Sequence, residues 1–261
     1  MVFFHFLEIE ENILDIKNGK YINIDNDKID CNTNYMFLKG SIVLGFYIAD
    51  FFEDDFFNKD MIKLLSRNIP ITQNRADISG VIDTDKMYNC YKQYINENTK
   101  YNKNNTRVIK SKNCNFAFSN NVKSKVINKD KKEYINKKVY IDKTLKPLIK
   151  KINKVTRQYF EIKDDKHIFG IYDNLIINRA LQSAIHIDSL NKPDTLSALV
   201  SLSIDGKLQT SYLNLVDLDL SIPLKSNRSL LVFPLVNYRH SNNYIEEDKL
   251  NGRVSLVFYN K

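Results

Sequence analysis

The chain has 261 residues, 43% of them hydrophobic, with 15 Phe and 15 Tyr. That excludes a disordered protein and allows one large domain with a sizeable core. Three scattered cysteines (Cys31, Cys90, Cys114) in no Cys-x-x-Cys pattern exclude a disulfide framework or a cysteine zinc site and suit a reducing, intracellular setting. The net charge of +8 favours phosphate-rich partners such as nucleic acid, although an AT-rich genome also enriches Lys, Asn and Ile.

Residues 1–60 mix short apolar runs with acidic turns and read as strands, with a helix beginning near Asp50. The first run, Val2 to Leu7, is too short for a signal or a membrane span, and no later run nears the ~20 residues a span needs. Residues 61–100 are irregular apart from an expected helix over Asp85 to Glu97. Residues 101–139 are the most polar stretch. They read first as a solvated insertion and second as a basic strip along a nucleic-acid backbone; Phe116 and Phe118 are too few to decide. Over 143–160 the periodicity predicts a helix, with Leu145, Leu148, Ile149, Ile152, Val155, Tyr159 and Phe160 on one face and lysines on the other. Pro147 fits its first turn.

From Ile168 the texture changes to short alternating runs: Ile168–Ile177, Leu181–Asp188, Leu196–Ile204, Tyr212–Leu220, Leu230–Val236 and Arg253–Tyr259. Turn residues separate them, which suggests an antiparallel sandwich or jelly roll. The expected class is α+β, with a C-terminal double-stranded β-helix (jelly roll) braced by helices from the N-terminal half. We expect one catalytic domain over 1–261. Within it, 1–142 is a mixed region carrying the polar insertion, and 143–261 is the bracing helix and β-helix core.

The chemistry concentrates late in the chain. In Ile185-His186-Ile187-Asp188, strand alternation sets His186 and Asp188 on one face and the isoleucines on the other, where they would enter a core. His240 follows the apolar run Leu230–Val236, where a third ligand could arrive. Two histidines and a carboxylate can occupy one face of a six-coordinate Fe(II). In Arg253-Val-Ser-Leu-Val-Phe-Tyr259, Arg253, Ser255, Val257 and Tyr259 share a face. A guanidinium and a nearby hydroxyl make a carboxylate receptor, and the order His-x-Asp, His, Arg fits an Fe(II)/2-oxoglutarate oxygenase. His5 and His167 have no comparable setting and read as structural.

Asn178 to Asn191, Leu230-Leu-Val-Phe, His240-Ser-Asn242 and Gly252 to Tyr259 together resemble the TET and base-J-binding-protein group over roughly residues 168–261. These are Fe(II)/2-oxoglutarate enzymes that oxidise the methyl group of 5-methylcytosine or thymine in nucleic acid. Asn178, eight residues before His186, is similar to the thymine branch, and the Arg253 to Tyr259 ending to the 5-methylcytosine branch. Upstream, Asn74 to Gly80 is faintly similar to an N-terminal motif.

The resemblance implies that His186, Asp188 and His240 ligate iron, and that Arg253, assisted by Ser255 and Asn178, holds 2-oxoglutarate. It implies that Asn191 meets the edge of a flipped base and that Tyr259 stacks on it. Asn191 reads equally as a turn residue ahead of Pro193, and Tyr259 as a core aromatic. The chain departs from the group at Gln182, at Asp205-Gly206-Lys207, at the turn Lys225 to Ser229, and at Lys261. Those changes bear on the choice of base, not on the iron ligands.

The expected function is hydroxylation of a pyrimidine 5-methyl group in DNA, with O2 and 2-oxoglutarate as co-substrates. The alternatives are an oxygenase for a protein side chain or an N-alkylated base, and a non-enzymatic binding module that retains the site. A soluble intracellular monomer with no membrane partner is expected, nuclear if the source is eukaryotic.

Overall fold

The structure is a computed structural model. It describes residues 2–12, 15, 16, 22, 24, 28–65, 99–101, 107–109, 114–119 and 130–260, apart from 163–168, 180–182, 184, 189, 190, 244 and 251. Between 99 and 143 it describes the backbone alone.

The N-terminal half supplies β1 (His5–Glu8), β2 (Tyr35–Lys39), β3 (Ile42–Ile48), α1 (Lys59–Leu65), β4 (Thr99–Tyr101), β5 (Arg107–Ile109), β6 (Cys114–Ser119) and the long helix α2 (Asp130–Tyr159). Then come β7 (Asn174–Arg179), β8 (Ser197–Ser203), β9 (Thr210–Leu215), β10 (Leu220–Lys225), β11 (Leu230–Phe233), β12 (His240–Asn242), the short helix α3 (Glu247–Leu250) and β13 (Arg253–Tyr259).

An eight-stranded sheet runs β1-β2-β3-β11-β8-β13-β7-β6, and a three-stranded sheet runs β10-β9-β12. His186 forms a bridge with His240 on β12 and so adds a fourth position to the small sheet. Followed along the chain, β7 lies in the large sheet, the His186 segment in the small one, β8 in the large, β9 and β10 in the small, β11 in the large, β12 in the small and β13 in the large. That winding between two antiparallel sheets is a double-stranded β-helix.

Strand alternation divides the core in two. On β13, Val254, Leu256 and Phe258 face the helices, with Ala198, Val200 and Leu202 of β8 and Leu230 and Val232 of β11 beside them. Leu199, Leu231 and Phe233 turn the other way and meet Leu213, Leu215, Ile222 and Leu224 of the small sheet. The central strands β8, β11 and β13 are therefore buried on both faces, which is why they read as largely apolar runs. Pro223 is tolerated because β10 is an edge strand of the small sheet.

The apolar face foreseen for 143–160 is the one that packs on the sheet: Leu145, Leu148, Ile152 and Val155 are buried, with Ile149, Tyr159 and Phe160 against them. The helix begins earlier than expected, at Asp130, so Pro147 lies inside it and not in its first turn. An interior proline removes one helical hydrogen bond. Burial of Leu145 and Leu148 on either side holds the helix across that break. Asn153 fixes the far end. Its Nδ2 donates to the carbonyls of Ile149 (2.7 Å) and Phe169 (2.8 Å), and its Oδ1 accepts the Ile171 N–H (2.7 Å). Gly170, at φ +79°, lies so close to that amide that a Cβ would strike it.

The helix expected near Asp50 is absent there. Asp50 sits in a turn and accepts hydrogen bonds from Lys225 (2.9 Å) and Arg228 (3.1 Å). Helix α1 begins at Lys59 because Asn58 Oδ1 caps it, accepting the N–H groups of Asp60 (3.1 Å) and Met61 (3.0 Å). The polar stretch 101–139 contributes β5, the edge strand β6 and the start of α2. The expected helix over 85–97, the motif over 74–80, Gln182 and Lys261 lie outside the described residues. No helix among the described residues is long and apolar enough to cross a membrane.

Candidate metal centre

His186, Asp188 and His240 each offer one ligand atom, and these atoms lie within 4.8 Å of one another. His186 Nε2 is 3.8 Å from Asp188 Oδ1, and His240 Nε2 is 3.8 Å from Asp188 Oδ2. The imidazole centroids are 4.4 Å apart.

The backbone dictates this convergence. The His186 N–H donates to the His240 carbonyl (3.0 Å), and the His240 N–H donates to the His186 carbonyl (2.8 Å). Residues paired so directly across two antiparallel segments project their side chains to the same face. His240 Nδ1 lies 3.0 Å from the Tyr238 carbonyl. A carbonyl can only accept, so the proton belongs on Nδ1 and the lone pair of Nε2 faces Asp188.

The segment differs from expectation in two respects. Among its described residues it is a single bridge, not a strand over Leu181–Asp188, and Ile187 is exposed where a core position was expected; only Ile185 is buried. His240 arrives after β11, as expected of a third ligand, and opens a short strand of its own, β12.

Arg253 is 2% exposed and is the largest fully buried side chain among the described residues. It lines the same cavity as the three ligand residues, together with Asn178, Ser255 and the apolar side chains of Leu199, Leu213 and Val257. Register explains the set: Ser255 pairs with Asn178 on β7, and Arg253 with Ser203 on β8. Asn178 Nδ2 lies 3.3 Å from Ser255 Oγ, to which it donates. The cavity thus has a cluster of metal-ligand atoms, a buried guanidinium fork with a hydroxyl and an amide, and apolar walls between. That donor set fits a divalent first-row transition metal and a small dianionic chelate.

Asn191 reaches the metal cluster directly, because its Nδ2 donates to Asp188 Oδ2 at 3.3 Å. Tyr259 shares the β13 face of Arg253 but is buried at 4% exposure and is not part of the cavity wall. A stacking role would require its ring to be uncovered.

Asn242 and Leu199 are among the cavity residues that the sequence reading did not single out. Asn242 is 7% exposed; its Oδ1 accepts the Ser183 N–H (3.3 Å) and its own N–H donates to the Ser183 carbonyl (3.0 Å), clamping the His186 segment to β12. Nothing in His240-Ser-Asn242 has the apolar alternation that announces a strand. Leu199 could have been found from the two-residue period of β8.

No protein-family model matches the chain, and no curated protein matches it significantly. Among solved structures, NgTET1 in complex with 5mC DNA is 13% identical, with 98% of this chain and 81% of that one covered at a TM-score of 0.41. OsALKBH1 is 19% identical over 46% of this chain and 63% of that one, at a TM-score of 0.29. The viral collagen prolyl hydroxylase vCPH from Paramecium bursaria Chlorella virus-1, in its 2OG complex, is 11% identical over 67% and 87%, at a TM-score of 0.31.

Proposed function

We propose that this chain is an Fe(II)- and 2-oxoglutarate-dependent dioxygenase that hydroxylates the 5-methyl group of a pyrimidine, 5-methylcytosine or thymine, in DNA. The observation that carries the reaction class is the pair of features in one cavity: the His186, Asp188 and His240 cluster, and the buried Arg253. When bound, iron and 2-oxoglutarate supply the oxidising chemistry, in which O2 is consumed, the co-substrate leaves as succinate and CO2, and a substrate C–H becomes C–OH.

The chain's own residues do the positioning. His186, Asp188 and His240 are the residues that would hold the metal. Arg253 grips the remote carboxylate of 2-oxoglutarate, with Ser255 and Asn178 beside it, and the leucines keep bulk water from the co-substrate. The DNA substrate rests on the resemblance of residues 168–261 to the TET and base-J-binding-protein group, with the net charge of +8 in keeping with a polyanion. In this reading Asn191, bonded to Asp188, is the polar group that meets the edge of an incoming base.

The test is anaerobic loading with Fe(II), then turnover of 2-oxoglutarate with and without methylated or thymine-containing DNA, the bases being read by mass spectrometry. Succinate coupled to a hydroxymethyl base is the expected result. Succinate with an unchanged base would keep the oxygenase and reject the DNA substrate. Failure to bind iron would reject both. Replacing His186, Asp188 or His240 by Ala should abolish metal-dependent turnover.

A further inference from the structure

Beyond Asp188, Asn191 and Lys192 are each held by a backbone hydrogen bond. The Asn191 N–H donates to the Asp188 carbonyl (2.9 Å), closing a tight turn, and the Lys192 N–H donates to the Asn260 carbonyl (2.8 Å) at the end of β13. Asn260 is itself fixed: its Oδ1 accepts the Asp173 N–H (2.9 Å), and its Nδ2 donates to the Ile171 carbonyl (3.2 Å). Asn191 is therefore anchored to the body of the large sheet, not carried on a free loop.

From that anchored position its side chain meets one ligand atom. Asn191 Nδ2 is 3.3 Å from Asp188 Oδ2, while Asp188 Oδ1 is 3.8 Å from His186 Nε2. An ionised carboxylate only accepts hydrogen bonds, so the amide must turn its NH2 group toward it, and the orientation of the amide is fixed by chemistry. Oδ2 also lies 3.8 Å from His240 Nε2, so both carboxylate oxygens face an imidazole, and a donor on Oδ2 holds the plane of the group.

We propose that Asn191 is a positioning residue for the metal centre, holding the Asp188 carboxylate in its ligating orientation through the Nδ2 to Oδ2 hydrogen bond. The inference rests on the metal-site reading above and deepens it. It gives Asn191 a duty toward the metal that is separate from any contact with a base. His240 is held in the corresponding way by the Tyr238 carbonyl. Such outer partners fix ligand orientation and strengthen binding.

Co(II) is a suitable spectroscopic probe for the test. It is titrated anaerobically, without substrate, into metal-free wild type, Asn191→Ala and Asn191→Gln, and thermal unfolding of each metal-free protein is recorded alongside. Asn191→Ala deletes the donor but keeps the backbone turn. Its Co(II) affinity should fall roughly 10- to 100-fold, with an altered d–d spectrum and an unchanged Tm for the metal-free protein. Asn191→Gln, which can still present an amide, should recover part of the loss. Affinity within about twofold of wild type for Asn191→Ala would overturn the proposal, because outer partners of this kind are worth more than that. A fall in metal-free Tm matching the loss of affinity would also overturn it, marking Asn191 as a turn residue. Wild type that binds no Co(II) would instead reject the metal site itself, so the two failures are distinguishable.

Discussion

Arg253 and Gly252 are adjacent, and each is constrained by what surrounds it. Arg253 is buried in the cavity wall, and its fork is the feature best suited to a carboxylate. Arg253→Ala should raise the 2-oxoglutarate KM roughly hundredfold, the worth of a charge-assisted hydrogen bond of about 2–3 kcal/mol, while Co(II) binding in the absence of co-substrate stays intact. Full activity at ordinary co-substrate concentration would refute that role. At Gly252 an added Cβ would lie 2.1–2.4 Å from the carboxylate atoms of Asp205, far inside van der Waals contact. That carboxylate is held by Ser203 Oγ (3.1 Å) and the Lys207 N–H (3.1 Å), so it cannot yield without breaking those bonds. Gly252→Ala should cost on the order of 1–2 kcal/mol by overpacking, seen as a lower denaturant midpoint, and should disturb co-substrate binding at the neighbouring Arg253. Asp205-Gly206-Lys207 was legible only as a departure from a family pattern. Its contact with Gly252 depends on β8 and β13 pairing, which no local signal announces.

At the scale of elements, α2 and the turn Asp50 to Asp54 brace the large sheet in different ways. Removing Asn153 would leave the Phe169 carbonyl and the Ile171 N–H buried and unmatched. Asn153→Ala should therefore lower stability by roughly 2–3 kcal/mol, read as a shifted denaturant midpoint with an unchanged slope. Asp50 is governed by charge. Burial tends to raise its pKa, but hydrogen bonds from Lys225 and Arg228 outweigh this and hold it below the usual carboxylate value. A depressed folded pKa means that the stabilisation is present above the unfolded pKa and is lost as pH falls through the folded one. Asp50→Asn should thus be less stable than wild type at neutral pH, and the difference should close as acid titrates the carboxylate; a difference constant with pH would contradict this. The periodicity of 143–160 revealed the apolar stripe of α2. It did not reveal the helix start at Asp130, because 101–139 is the most polar stretch of the chain and reads by composition as an insertion.

For the whole molecule, the division of the core separates bracing from chemistry. The helices pack on one face of the large sheet, whereas the candidate metal centre lies on the other, between the sheets. Leu148→Ala, at a fully buried helix position, should cost about 3 kcal/mol of stability and leave Co(II) affinity unchanged in the fraction that remains folded. A loss of affinity in proportion to the loss of stability would show that the two halves of the core are not independent.

The sequence by itself determined the class of fold, the bracing face of α2 and the residue types of the candidate site. Strand alternation and helical periodicity are local, and His-x-Asp, His and Arg are recognisable by chemistry and order. The tertiary structure decided which of those residues meet. His186 and His240 converge because a polar three-residue strand pairs with a bridge, and Arg253 joins them because β13 lies between β7 and β8. Likewise Ile187 is exposed against the expected core position, Tyr259 takes the buried one of its two readings, and Asn191 bonds to Asp188 beyond any reading of the sequence. Long-range pairing sets these outcomes, and register between distant strands leaves no mark in the pattern of either strand alone.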